Sequence, residues 1–390
     1  MKRGLVLEGG GAKGAFHCGA VVALYDNGYH FDGVAGTSIG AINGALIAQD
    51  AGYDSMLKLW ENVHASLFTD FDDEQVEKLL TKQLSKDTVE YWSKQVLRII
   101  KNLGIPTDRL IPFLQQNISE KAVRNSKMDF AVVTYNLSDR RPVEIFKEDI
   151  PFGELHDYIL ASAYYPAFRL KKLNGKYYVD GGVYDNMPVS LLADRGYDDI
   201  IAVRTMSKMP HRATVKDDVK VSYICPSEDL GGTASISRED IKRKIKLGYF
   251  DAMRFIKGYE GKRLYIDGTM RHFYSKAESI LHCYAMRICS SVSFSSKDKS
   301  VTSDADKIID FLKKTYEADQ KESIRDLVEE YALKFGLEKF KVYKPDEFYD
   351  IFKQKGKQYL ETLQTKTYKG AGSRDERKKD VLISYLVKEA

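Results

Sequence analysis

Three short segments of the chain carry residue types whose spacing suits covalent chemistry. Gly36-Thr37-Ser38-Ile39-Gly40 is a G-x-S-x-G sequence. A serine in that frame sits in a sharp strand-to-helix bend with its hydroxyl projecting as a nucleophile, and the flanking glycines are there because larger side chains would collide. Gly9-Gly10-Gly11-Ala12-Lys13-Gly14 fits G-x-G-x-x-G. Glycines let backbone N–H groups approach an anion, and the N-terminus of a following helix adds positive potential. That anion is either a phosphate or the transient oxyanion of acyl transfer. Tyr177-Tyr178-Val179-Asp180-Gly181-Gly182 ends an apolar run in a carboxylate, with two glycines to bend the chain sharply.

Other readings of these segments stay open at this level. Asp32 lies about 20 residues beyond the glycine loop, where a dinucleotide-binding fold carries its ribose-binding acid. A Walker loop is excluded, since Ala15-Phe16 stand where Lys-Ser/Thr is required. A serine needs a base to become a nucleophile. Only His211, His272 and His282 follow Asp180 in the chain order Ser, Asp, His that a triad hydrolase uses. None of them lies in a strand-end motif, and each reads better as a solvated or core histidine.

The elements around these segments follow from periodicity. Gly4-Leu5-Val6-Leu7 is too short for a helix and reads as a buried strand, followed by a helix from Ala15 to Tyr25. Gly33-Val34-Ala35 is a second strand leading into a helix of small residues, Ala41 to Ala48, suited to close packing on a sheet. Residues 53–125 have apolar spacings of three and four and read as mostly helical. Further strands are expected at Phe130–Val133, around Val143–Ile145, and at Tyr177–Val179, Ile200–Val203 and Val219–Ile224, with a helix over Arg238–Lys257. The pattern predicts an α/β fold with a largely parallel central sheet flanked by helices. In open sheets of that kind ligands bind beyond the carboxyl ends of the strands, so Ser38 and Asp180 are expected to face one crevice. Past residue 290 amphipathic helices dominate, and Gly370-Ala371-Gly372-Ser373 reads as a break before a last apolar stretch. The expected organisation is a catalytic domain over 1–290, its motif-bearing core at 4–205, and a mainly helical C-terminal extension over 291–390.

Composition narrows the classes. The 390 residues are 43% hydrophobic and 30% charged, a globular balance that excludes a disordered chain. The net charge of +4 is far from a nucleic-acid-binding excess, so no nucleic-acid partner is expected. Four scattered cysteines without a CxxC pair suggest neither a metal site nor a disulfide framework, and a reducing, cytoplasmic compartment is expected. No run approaches the ~18 apolar residues of a membrane span, and the N-terminus lacks the apolar core of a signal peptide. Residues 240–276 hold ten basic and four acidic residues, a charge run that reads first as a solvated helix face.

Taken together, the three motifs resemble those of the patatin-like phospholipase family. The resemblance also takes in Ala161-Ser162 through Pro166 and Phe168, Asp185-Asn186-Met187-Pro188, and Gly248-Tyr249. It is strong over residues 4–205 and loose over 206–290. It implies a Ser–Asp dyad with no histidine: Ser38 as nucleophile, Asp180 as base, and the N–H groups of Gly9, Gly10 and Gly11 as oxyanion hole. Lys13, Gly14, Gly36, Gly40, Gly181 and Gly182 support the motifs, Lys13 standing where the family has Arg or Lys. The implied activity is cleavage of carboxylic esters in phospholipids or lysophospholipids through an acyl-serine, with no metal or organic cofactor and with peripheral contact to a membrane surface. A broad esterase or thioesterase on the same dyad, or a dinucleotide-binding oxidoreductase using Asp32, are the alternatives. A carboxylate base also predicts turnover persisting at about pH 5.5, where an imidazole would be protonated, unless burial raises its pKa.

Overall fold

The computed structural model describes residues 2–63, 72–80, 85–101, 105, 107–165, 168–169, 172–212, 217–292, 303–365 and 374–389. Pro166 and Gly370-Ala371-Gly372-Ser373 lie outside the described residues. The chain divides into two compact units, Met1–Ile256 and Lys257–Ala390.

The first unit is built on an eight-stranded sheet. Its strands are β1 (Arg3–Leu7), β2 (Gly33–Thr37), β3 (Asp129–Asn136), β4 (Arg141–Phe146), β5 (Lys172–Leu173), β6 (Lys176–Asp180), β7 (Asp199–Val203) and β8 (Lys220–Ile224). Strands β3-β2-β1-β7-β8 run parallel in that order, while β4 and β6 are antiparallel to β3. The sheet is therefore mixed and mostly parallel. Strands β2 and β7 are buried along their whole length, and β1 from Gly4 onward, as strands must be when helices cover both faces. β8 keeps solvated positions, which explains its alternating sequence.

Helix α1 (Ala15–Asp26) follows β1, and α2 (Ile39–Asp50) follows β2. The small residues of α2 let it lie almost backbone to backbone on the sheet: a Cβ on Gly40 would come 2.1 Å from the Leu7 carbonyl oxygen. Helix Arg238–Lys257 approaches α1 as closely, a Cβ on Gly248 falling 2.1 Å from the Phe16 carbonyl oxygen. The described residues between α2 and β3 are mostly helical as expected, in segments from Asp54–Asn62 to Glu120–Asn125.

The second unit is mainly helical, with a two-stranded parallel ribbon of Tyr265–Ile266 and Val342–Tyr343. It begins before the boundary expected near residue 290, which falls inside helix Arg271–Val292. The reason is packing. Leu264, Tyr274 and Leu281 share one apolar core with Ile324, Tyr331 and Phe352, so the segment ahead of residue 290 folds with the helices after it.

Candidate active site

Ser38 is the first residue after β2 and the N-cap of α2, with φ 57° and ψ −125°. A non-glycine residue held there carries strain of about 1–3 kcal/mol, which persists only where the surroundings over-determine it. Here they do. The Ser38 N–H donates to Ser162 Oγ at 3.0 Å, and the Ser38 carbonyl accepts from the Ala41 N–H at 2.9 Å. The preceding Thr37 hydroxyl donates to the Asp185 carbonyl at 2.8 Å. The glycine at 36 is required by space, because a Cβ there would meet the Gly40 carbonyl carbon and oxygen at 2.2 Å.

Strand β3 acts as a ruler that brings the acid to the serine. Thr37 pairs with Val133 as the last rung of β2, and Asp180 pairs with Thr134, the next residue on β3. Strand β4 occupies the other edge of β3 at both positions, so β2 and β6 share one edge, end to end. Asp180 therefore lies at the carboxyl end of the parallel strands although its own strand arrives antiparallel, from beyond that end. Gly181 makes the junction fit: a Cβ there would lie 2.0 Å from the Val133 carbonyl oxygen.

The Asp180 side chain is 6% exposed. Burial pushes its carboxyl up to about 6, against the neighbouring Ser38 hydroxyl and the Gly182 N–H, which both favour the ionised form. The Gly182 N–H reaches Oδ1 at 2.8 Å. At pH 5.5 a carboxyl with a pKa of about 6 is mostly protonated, so the turnover expected there is weakened by the burial that the expectation allowed for.

Among the described residues no histidine hydrogen-bonds Ser38 or Asp180. His17 is buried, its pKa lowered to about 3 by desolvation, and contacts Asn43 Nδ2 through Nδ1. His211 is exposed near Asp185, and His272 and His282 are exposed on helix Arg271–Val292 of the second unit.

The glycine loop reaches the serine directly. A Cβ on Gly9 would sit 3.2 Å from Ser38 Cβ and 2.2 Å from Asn186 Oδ1. Not all of its amides are available to a ligand. Gly9 N–H donates to the Asn186 carbonyl at 3.0 Å, and Ala12 N–H to the Thr233 carbonyl at 2.7 Å. Those of Gly10 and Gly11 have no partner among the described residues, which narrows the expected Gly9–Gly11 donor set to these two. Gly11 has φ +57°, a left-handed conformation that suits glycine. Gly14 serves packing, since a Cβ there would strike Ile39 Cγ1 at 2.5 Å, and Lys13 Nζ points to the Thr205 carbonyl at 3.5 Å.

The dinucleotide alternative fails on position. Asp32 precedes β2 and accepts from the Arg3 N–H at 2.7 Å, at the amino end of the strands. The glycine loop leaves β1 at the opposite, carboxyl end, so one nucleotide cannot span both as that fold requires.

Residues 5–193 match the family model of the patatin-like phospholipases. This part of the chain belongs to the patatin-like phospholipase family. The patatin-like domain is 28% identical over 202 residues to a lysophospholipase NTE1 of Kluyveromyces lactis, a match covering 51% of this chain and 12% of that protein. A lysophospholipase NTE1 of Saccharomyces cerevisiae is 28% identical over 203 residues, 51% of this chain and 10% of that protein. The chain thus corresponds to a small part of these longer relatives. Among solved structures, VipD from Legionella pneumophila aligns over 100% of this chain and 91% of its own, with 16% identity and a TM-score of 0.38.

Several residues packed around Ser38 and the glycine loop carry no local signature. Ser162 and Asn186 lie in stretches that resemble the family, but their partners, the Ser38 N–H and the glycine loop, emerge only in three dimensions. Glu8 interrupts the apolar run of β1 and is fully buried, accepting from the Thr205 N–H at 2.6 Å and the Met206 N–H at 3.1 Å. A charged residue at the end of a buried strand was the one available signal. Thr205 and Thr233 had none.

Proposed function

We propose that the chain is a serine hydrolase that cleaves carboxylic ester bonds of phospholipids or lysophospholipids through a Ser38–Asp180 dyad. The observation that carries this reading is the meeting of the Ser38 bend with the buried Asp180 carboxyl at adjacent rungs of β3, beside a glycine loop whose Gly10 and Gly11 N–H groups have no partner among the described residues. As Ser38 Oγ attacks the ester carbonyl, its proton passes to Asp180. The carbonyl oxygen becomes an oxyanion that the Gly10 and Gly11 N–H groups stabilise. Collapse breaks the ester bond, the departing alkoxide takes the proton from Asp180, and the acyl group stays on Ser38. Water then gives a proton to Asp180 as it attacks the acyl-serine, the acyl–Ser38 bond breaks, Ser38 Oγ takes that proton back from Asp180, and the fatty acid departs. Burial suits Asp180 to this part, since a base is most effective with a pKa near the working pH.

The lipid substrate class is supported by the family and by the lysophospholipase names of the relatives. A simple ester or thioester would be opened by the same dyad. No described helix is long and apolar enough to cross a membrane, and the proposed encounter with lipid is peripheral. The basic run over residues 240–276 offers less free charge to such a contact than its sequence suggests. Lys244 is fully buried, donating to the Ser235 carbonyl at 2.8 Å and pairing with Asp240, while Arg243 pairs with Glu228 and Asp240. Lys242 and Lys246 remain exposed.

The reading is tested by incubating the protein with a fluorophosphonate and with a panel of phospholipids and lysophospholipids scored by mass spectrometry. Covalent labelling and fatty-acid release that both vanish in Ser38→Ala are expected. Release that persists in Ser38→Ala refutes the dyad.

A further inference from the structure

We infer that Thr205 and Asn186 are positioning residues for acyl transfer: together they hold the Gly9 carbonyl, and so set the plane of the Gly9–Gly10 peptide whose N–H is offered to the oxyanion. This rests on the Ser38 hydrolase reading and names what orients one of its donors. Thr205 Oγ1 donates to the Gly9 carbonyl at 2.6 Å, and Asn186 Nδ2 donates to the same oxygen at 3.2 Å. Across a planar trans peptide the C=O and the following N–H point in opposite directions. A Gly9 carbonyl clamped by two donors therefore turns the Gly10 N–H to the far side, where no described residue accepts from it.

A run of glycines cannot supply that rigidity itself, because each has the widest conformational freedom of any residue. The neighbours supply it. Asn186 grips Gly9 at two points, its carbonyl taking the Gly9 N–H at 3.0 Å while its side chain holds the Gly9 oxygen. The sheet register delivers Thr205 to the same place: β1 and β7 end together at the pair Leu7–Val203, and the Glu8 N–H continues the ladder to the Val203 carbonyl at 3.2 Å. Buried Glu8 then accepts the Thr205 N–H, fixing the threonine backbone so that its hydroxyl faces the loop. Gly10 leaves room for it, since a Cβ there would come 2.7 Å from Thr205 Oγ1.

The test uses the full chain with a lysophosphatidylcholine as substrate, its non-hydrolysable ether analogue as ground-state ligand, and a fluorophosphonate as a reagent whose reaction also loads the oxyanion donors. Thr205→Val keeps the side-chain volume and removes the donor; Thr205→Ser restores it. A misdirected donor is expected to lower kcat and the labelling rate of Ser38 about 10–100-fold in Thr205→Val, with KM and ether-analogue affinity within about threefold of wild type. Thr205→Ser is expected within about fivefold of wild type, and Thr205→Val with Asn186→Ala to fall short of the product of the single losses, because both act on one carbonyl. Thr205→Val with kcat within about threefold of wild type overturns the inference and leaves the hydrolase reading standing, as does a loss expressed wholly in KM or equal in Thr205→Ser. Should Thr205→Val fail to fold, Asn186→Ala carries the same comparison. A wild-type protein that neither turns over lipid nor labels at Ser38 overturns both.

Discussion

Replacing Asp180 by asparagine should abolish turnover and at the same time make the first unit more stable, by an amount that depends on pH. The carboxyl is raised from 3.8 to about 6 by burial, so the folded state holds its proton more tightly than the unfolded chain does. The sign follows from linkage: below the unfolded value both states are protonated and nothing is lost, and as pH rises through the folded value the fold must accommodate a buried charge. At about 1.4 kcal/mol per pH unit, the displacement from 3.8 to about 6 amounts to about 3 kcal/mol of stability that is missing at pH values above the folded pKa. Asparagine is close to an isostere of the protonated acid. Its carbonyl can take the Gly182 N–H, and its amide can donate to Ser38 Oγ. Asp180→Asn should therefore melt about 6–12 °C above wild type near pH 8 and level with it near pH 4, at the ~2–4 °C per kcal/mol of a domain this size. Tryptophan fluorescence reads the relevant unit selectively, since both tryptophans, Trp60 and Trp92, lie within Met1–Ile256. A variant that melts no higher than wild type near pH 8, or is equally stabilised near pH 4, would refute the claim that a buried carboxylate is held ionised at a cost in stability.

The same carboxyl sets the acid limb of activity: kcat/KM should fall about tenfold per pH unit below about 6 and persist when His211, His272 or His282 is changed to Gln, so a limb that moves with one of them would mean an imidazole base. Gly36→Ala puts a methyl 2.2 Å from the Gly40 backbone. It should cost at least about 2 kcal/mol in denaturant melts and suppress fluorophosphonate labelling of Ser38, whereas a normally labelled, equally stable variant would show that the bend has room. Lys242→Gln with Lys246→Gln should weaken co-sedimentation with anionic vesicles at low salt about tenfold or more, at ~1 kcal/mol per surface lysine, and leave the melting temperature alone. Lys244→Gln should instead lower the melting temperature, because that ammonium is buried on Asp240 and the Ser235 carbonyl. Vesicle binding indifferent to the Lys242 and Lys246 changes would remove this helix from the lipid contact.

Local chemistry made much of the molecule readable in one dimension. An apolar run too short for a helix, a bend that only glycine allows and a helix of small residues depend on neighbours in sequence, so β1, β2, α2 and the strand-to-helix turn at Ser38 were all legible. The helix expected over Arg238–Lys257 is found at those bounds, because the apolar spacing that packs it on α1 is written within its own length. Asp180 was legible too, as a carboxylate followed by two glycines. Its meeting with Ser38 was not derivable that way: it comes from β6 running antiparallel along the edge of β3 vacated by β2, a long-range pairing that no local pattern encodes. Burial is likewise a property of the assembled fold, and it is what raises the Asp180 carboxyl and hides Lys244 from solvent. Which amides of the glycine loop stay free depends on the Asn186 and Thr233 carbonyls, which lie far along the chain. The identity of the reactive groups is thus carried by short motifs, because bends and caps are local. Their protonation, their orientation and the number of donors left for a substrate are decided by tertiary structure, because desolvation and hydrogen-bond competition act through space.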